Sequence, residues 1–161
     1  MAPSVDELLA LDVLTLREHT ERAGDRFDVD EHRATLFKSL EINEVCCVRR
    51  DGTLVAYAML RPEAGACWFV GAFGTHPSHR TYTVVNELFA KIATLATERE
   101  IGELRSHVYK TNRLSMAFHR KLGFLVTREN DKGVEFFITL DELATKPAVR
   151  RATARATSRS D

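Results

Sequence analysis

Apolar and polar positions recur along this chain with two different periods, and the changes of period mark out its elements. From Ser4, the segment SVDELLALDVLTLREHTERAGD places Leu8, Leu9, Leu11, Leu14 and Leu16 at mainly helical spacing. Ser4 and Glu7 stand where a capping box needs them and Gly24 supplies a stop, so the spacing predicts one helix with room for a break. The segment DVDEHRATLFKSLEINE has acids in its first turn, with Ala34, Phe37, Leu40 and Ile42 on one side, and predicts a second helix. The period then falls to two. VCCVRR, a turn at Asp51 and Gly52, TLVAYAMLR, a break from Pro62 to Gly65, and ACWFVGAFGTH predict a meander of three antiparallel strands.

From Thr83 to Glu98 the stripe Val84, Val85, Leu88, Phe89, Ile92 and Leu95 returns to a period of 3.6, with Glu and Lys opposite, and predicts a long helix. ELRSHVYK reads as a strand, and RLSMAFHRKL as a short helix that Gly123 ends in the left-handed conformation open to a residue without Cβ. FLVTR and VEFFITL, on either side of ENDKG, read as a final hairpin. The strand, helix and strand from Ala66 to Tyr109 form a crossover, which makes those two strands parallel. The expected fold is therefore α/β (α+β), with a mixed, mostly antiparallel central sheet flanked by helices on both faces. In such a sheet a ligand sits beyond the C-terminal end of the strand that enters the helix, where backbone N–H groups and the helix dipole favour an anion. HPSHRTYTVVNELF, from His76 to Phe89, occupies that position.

Composition narrows the picture by exclusion. A length of 161 residues, 44% of them apolar and 29% charged, with 23 acids balanced by 23 lysines and arginines, suits one soluble domain and names no partner. The expected division is a single domain over 1–144 and a basic, disordered tail over 145–161. That tail, TKPAVRRATARATSRSD, has no apolar periodicity to offset its ordering entropy. Nucleic acid is not an expected partner, except for a polyanion contact by this tail. The 3 cysteines include the neighbours Cys46 and Cys47, which point to opposite faces of a strand and form no disulfide framework. Neither they nor the 6 histidines show metal-ligand spacing, so no metal is expected. MAPSVDELLALD carries acids where a secretory signal needs bases, and no apolar run approaches a membrane span, so the expected location is the cytoplasm.

Two segments resemble the GNAT superfamily of N-acetyltransferases. NRLSMAFHRKLGF, from Asn112 to Phe124, is similar to the family's Asn-x-x-Ala/Ser-x-x-Leu/Phe-Tyr-x-Lys-x-Gly-Phe segment, and FGTHPSHR is similar to its strand ending in His-Pro-x-x-Arg. The likeness in element order covers Val45 to Leu140. Arg80 then opens what in the family is Arg/Gln-x-x-Gly-x-Gly/Ala, the diphosphate loop, but Thr83 and Val85 stand at the two glycine positions. Thr83 keeps a backbone donor and adds a hydroxyl. Val85 only adds bulk, and matters if its side chain faces the ligand instead of the core. A further departure is the absence of a first strand. Leu11 to Leu16 alternate well enough to supply one, although the helix is the reading preferred here.

The resemblance implies transfer of an acyl group from acetyl-CoA or another acyl-CoA to an amine of a small molecule or protein, by direct attack. It implies a donor site at Phe73, Gly74, Thr75, Arg80, Thr81, Tyr82, Thr83, Val84, Val85, Asn112 and Ser115. Gly74 inside a strand pattern is either a bulge that turns a backbone N–H toward the thioester or merely the end of the strand. At the position of the family's catalytic tyrosine stands His119, a candidate acid toward the departing sulfur. The family's glutamate has no counterpart among Ala66, Cys67 and Trp68, and His76, His79 and His107 are the candidate bases. Trp68, Phe69, Phe73 and Tyr109 read most simply as core, or as the wall of an acceptor pocket. The competing reading is a non-catalytic binding or regulatory domain of the same fold. Acceptor identity and oligomeric state are open, a homodimer included.

Overall fold

Ser4 begins the first element through the reciprocal cap that its spacing predicts. Its hydroxyl accepts the Glu7 N–H at 3.2 Å, and the Glu7 carboxylate accepts the Ser4 N–H at 2.8 Å. In this computed structural model, which describes residues 1–147 and 149–151, α1 runs over Val5–Thr15 and α2 over Arg17–Arg22. The helix breaks at Leu16, and residues 11 to 15 stay helical instead of supplying a strand. α3, Val29–Ile42, starts at Asp28, whose side chain accepts the Glu31 N–H.

The meander follows as β1, Glu44–Arg50, β2, Thr53–Ala64, and β3, Cys67–Thr75. Asp51 and Gly52 both take positive φ, 51° and 79°, which matches the right-handed twist of the strands they join. A 3-10 turn at Pro77–His79 leads to α4, Tyr82–Glu98, then β4, Glu103–Tyr109, and α5, Arg113–Lys121. β5, Leu125–Glu129, and β6, Gly133–Thr139, form the last hairpin. The final strand stops one residue short of its sequence pattern, because the Thr139 side chain caps a further short helix, α6, Leu140–Ala144.

The strands lie in the order β1-β2-β3-β4-β6-β5, and β3 with β4 is the parallel pair among antiparallel neighbours. α4 lays Val84, Leu88, Phe89, Ile92 and Leu95 against Val48, Val55, Ala58 and Leu60 on one face. On the other face Leu8, Leu11 and Leu36 of α1 and α3 meet Leu54, Tyr57 and Met59. β2 is thus buried on both sides, which is why its sequence is a continuous apolar run instead of an alternating one. Each fully buried Leu, such as Leu8 or Leu88, contributes about 1.5–3 kcal/mol relative to an exposed one.

Gly123 has φ 88°, as the sequence predicts, and a Cβ there would come within 2.8 Å of the Lys146 side chain. Val149 joins the same core as α4, so packing extends past position 144. The expected disorder of the tail and its contact with a polyanion otherwise concern 148 and 152–161, which lie outside the described residues. No helix among the described residues is long and apolar enough to cross a membrane.

Candidate active site

β3 and β4 pair only over Cys67 to Val70 and Glu103 to Ser106. Just beyond, the register between β2 and β3 slips, because Leu60 faces Val70 and Met59 faces Ala72, which leaves Gly71 without a partner. The bulge therefore lies at Gly71 and not at Gly74, which pairs regularly with Tyr57. A bulge bends its strand and increases its twist, and here it marks where β3 parts from β4. Beyond this point residues of α1 and α5 line the space beside the two strands.

Two cavities occupy this space. One, about 200 Å³, reaches from Asp12 and Tyr57 past Gly74 to Ser106, His107 and His119. The other, about 240 Å³, runs from Gly74 to Arg80 between Thr75, Val85, Leu114 and Phe118. They share Thr15, Leu16, Phe73, Gly74, Asn112 and Ser115 as a common wall.

Most of the residues predicted for the donor site meet here. Phe73, Gly74, Asn112 and Ser115 border both cavities, and Thr75, Arg80 and Val85 border the second. Asn112 holds its place by capping α5, where its side chain accepts the Ser115 N–H at 3.1 Å. Thr81, Tyr82 and Thr83 stand at the start of α4, outside the lining of both cavities. The Thr81 hydroxyl caps the Val84 N–H at 3.4 Å and lies 3.1 Å from that of Thr83. Helical phase turns the Val84 side chain into the core beside Leu88, so only its backbone faces the start of the helix. Val85 does both things its position allowed: it walls the second cavity and packs on the core, while its N–H bonds to the Thr81 carbonyl at 3.1 Å.

The four candidate histidines separate, and His79, whose Nδ1 lies 3.4 Å from that of His76, borders neither cavity. His76 borders neither cavity; its Nδ1 accepts the Ser78 N–H at 3.0 Å and so caps the 3-10 turn. His107 borders the first cavity with a side chain 60% exposed, edge-on to Phe69 with ring centres 5.0 Å apart. His119 is 8% exposed, stacked on Phe136 at 4.7 Å and edge-on to Phe124 at 4.8 Å. Its Nδ1 lies 2.7 Å from the Ser115 carbonyl and its Nε2 2.9 Å from Ser106 Oγ. Burial pushes its pKa below the ordinary value, against a smaller opposing effect of the Ser115 carbonyl. Neutral at physiological pH, with its Nδ1 proton held by a carbonyl, His119 presents a bare nitrogen to Ser106, so its immediate chemistry is that of a base.

Sequence reasoning missed Ser106 and the carboxylate of the first cavity. Asp12, 2% exposed, takes the Tyr57 hydroxyl at 2.5 Å and faces His32 Nε2 at 2.7 Å. Burial and the neighbouring carboxylate raise the Tyr57 pKa well above its ordinary value. The available signals were a charge on the buried stripe of α1, between Leu8, Leu11 and Thr15, and Ser106 between the inward positions Leu104 and Val108. Among the described residues, no group of 3 or more His, Cys, Asp or Glu side chains stands close enough together to hold a metal ion.

Comparison with known proteins bears on this geometry. The acetyltransferase (GNAT) family model matches residues 10–124. No curated protein matches in sequence. The fold is similar to that of a PaiA N-acetyltransferase from Thermoplasma acidophilum solved with coenzyme A, with a TM-score of 0.67 at 14% identity over 84% of this chain and 92% of that one. It is similar also to an aminoglycoside 6'-N-acetyltransferase complexed with coenzyme A, with a TM-score of 0.65 at 14% identity over 84% of this chain and 89% of the other. A ribosomal-protein-alanine N-acetyltransferase from Brucella melitensis gives 0.57 at 20% identity, over 84% and 94%.

Proposed function

The chain belongs to the acetyltransferase (GNAT) family, and from that premise we propose that it transfers an acyl group, acetyl in the simplest case, from an acyl-CoA to an amine by direct attack. The observation that carries this reading is the meeting of two cavities at Gly74, Asn112 and Ser115. A reaction that joins two substrates needs two approaches that converge on one point, since holding both partners in reach removes much of the entropic barrier.

In this reading the acyl-CoA enters along the cavity between Phe73, Leu114 and Phe118. Arg80, which forms no ion pair among the described residues, and the start of α4 face its diphosphate. Thr83 is suited to adding its hydroxyl there, in place of the family's glycine. The acceptor occupies the cavity of about 200 Å³, which suits a compact amine or the end of a larger one. Asp12 is its one carboxylate among the described residues and favours an acceptor that arrives as an ammonium ion. The cytoplasm, where both substrates and reduced thiols are at hand, is the proposed setting.

The start of α4 favours a second reading, that of a domain that has lost turnover. It lacks both glycines, and Val85 stands in the wall of the donor cavity. Thermal melting with and without acetyl-CoA separates the two, because a ligand that binds only the folded state raises the midpoint by mass action. The expected result is a rise that grows with concentration, followed by release of free thiol when amines are added. No rise at millimolar acetyl-CoA would leave only the non-catalytic reading.

A further inference from the structure

Ser106 and His119 make a buried polar pair that neither the sequence pattern nor the family match assigns. Ser106 is 3% exposed and faces Val70 in the last rung that joins β4 to β3, so its hydroxyl stands at the apex of the split. His119 reaches it from α5. The proton positions follow from the partners. The Ser115 carbonyl can only accept, so the imidazole proton is on Nδ1, and Nε2 accepts from Ser106 Oγ. Phe136 and Phe124 hold the ring on two sides. Among the described residues no charged side chain contacts it: β6 offers Phe136, α5 offers Ser115 and Phe118, and Arg105 of β4 is engaged by Glu63 and Glu135. Both members border the acceptor cavity, together with Gly74. A side chain needed only to fill space at these two positions would be apolar, as Leu104 and Val108 are on either side of Ser106.

We propose that Ser106 and His119 carry the proton of the acyl transfer, with Ser106 the group that meets the attacking amine and His119 the base behind it. The assignment rests on the N-acyltransferase reading. The amine nitrogen forms a bond to the acyl carbon as the carbonyl π pair moves onto oxygen, and the nitrogen becomes positively charged. As one of its protons moves to Ser106 Oγ, the hydroxyl proton moves to His119 Nε2. The oxygen pair then re-forms the carbonyl as the carbon–sulfur bond breaks with its electron pair going to sulfur, and the proton returns through Ser106 to the thiolate. The amine loses one proton, the thiol gains one, and the pair ends as it began. A single pair thereby supplies the base that lacks a carboxylate and the acid expected of His119.

Ser106→Ala and an isosteric pair, Ser106→Thr and Ser106→Val, test this in the full chain with acetyl-CoA and a panel of benzylamine, spermidine and an alanine-leading peptide. Ser106→Ala is expected to lower kcat about a hundredfold, leaving the KM for acetyl-CoA and its melting shift unchanged, and to abolish the acid limb of the pH profile. Ser106→Thr should recover most of the rate and Ser106→Val none of it at equal melting temperature. Turnover within about twofold of wild type in Ala or Val, with the acid limb intact, would overturn the pair's role. Hydrolysis of acetyl-CoA without amine, where water replaces the acceptor, is followed in parallel. A wild type that acetylates none of the amines sinks the N-acyltransfer reading alone. Hydrolysis lost only in Ala and Val still supports the pair, and equal hydrolysis in all variants overturns it.

Discussion

At Asp12 a carboxylate is held between a phenol and an imidazole, each donated by a different element, so one residue ties α1 to β2 and α3. Its value comes from desolvation: a buried charge that loses a partner cannot turn to bulk water instead. Tyr57→Phe keeps the ring that packs beside Gly74 but removes the hydroxyl. It should cost about 1.5–3 kcal/mol in urea denaturation at unchanged m, the range for a hydrogen bond to a charged group. A loss under about 0.5 kcal/mol would mean that the tie contributes little. By contrast, Arg105 lies between Glu63 and the buried Glu135 on the open side of the sheet, where a cation shared by two acids orders a surface.

The elements acquire function where their regularity stops. β3 is an ordinary strand as far as Val70; past Gly71 it has a partner on one side only, and its other edge borders the two cavities. Gly74 lies on this stretch, and a Cβ added there would meet Tyr57 Cε1 at 3.6 Å and Thr15 Oγ1 at 3.7 Å, which are ordinary contacts. Gly74→Ala should therefore fold with a melting temperature close to that of wild type. Its methyl would stand where the two cavities meet, so kcat/KM should fall about tenfold or more, as expected when a reacting group is displaced by a fraction of an ångström. Unchanged kcat/KM would argue that the reacting groups meet elsewhere. α4 shows the same economy, since one threonine caps its first turn while Val84 and Val85 divide between core and cavity wall.

For the whole molecule, the lowered pKa values of His119 and Glu7 tie stability to pH on the acid side. The folded state depresses His119 below its ordinary 6.5 through burial, so the unfolded chain binds more protons just below that pH. The stability this confers is fully present above 6.5 and is lost as pH falls through the folded value. Glu7, held down by Arg49 and the Ser4 N–H, falls from 4.5 to about 2, and its contribution is lost between those limits. Stability should decline in two acid stages, which denaturation at a series of pH values can follow. His119→Gln should remove the first stage and Glu7→Gln shrink the second, to which Asp25, held down by Lys132, and Asp28, held down by the Glu31 N–H, also contribute. The Glu7 side chain is 35% exposed, so added salt should shrink the second stage and leave the first. A single stage unaffected by either substitution would place the acid sensitivity in other groups.

The amphipathic stripes, the cap at Ser4, the turn at Asp51 and Gly52 and the left-handed Gly123 were all legible in the chain, because each depends on residues within one or two turns of each other. From them followed the mixed sheet and its crossover, and the segment from Asn112 to Phe124 pointed to the family. What lay beyond reach depended on separate segments meeting. The bulge moved from Gly74 to Gly71, since register is a property of a strand pair. His76 turned out to cap its own loop, and the tautomer of His119 was set only by Ser106, 13 positions away, and the Ser115 carbonyl. The local alphabet of the chain thus determined its elements and their order. Only the tertiary structure decided which polar groups lose water together, and that loss of water is what gives them their chemistry.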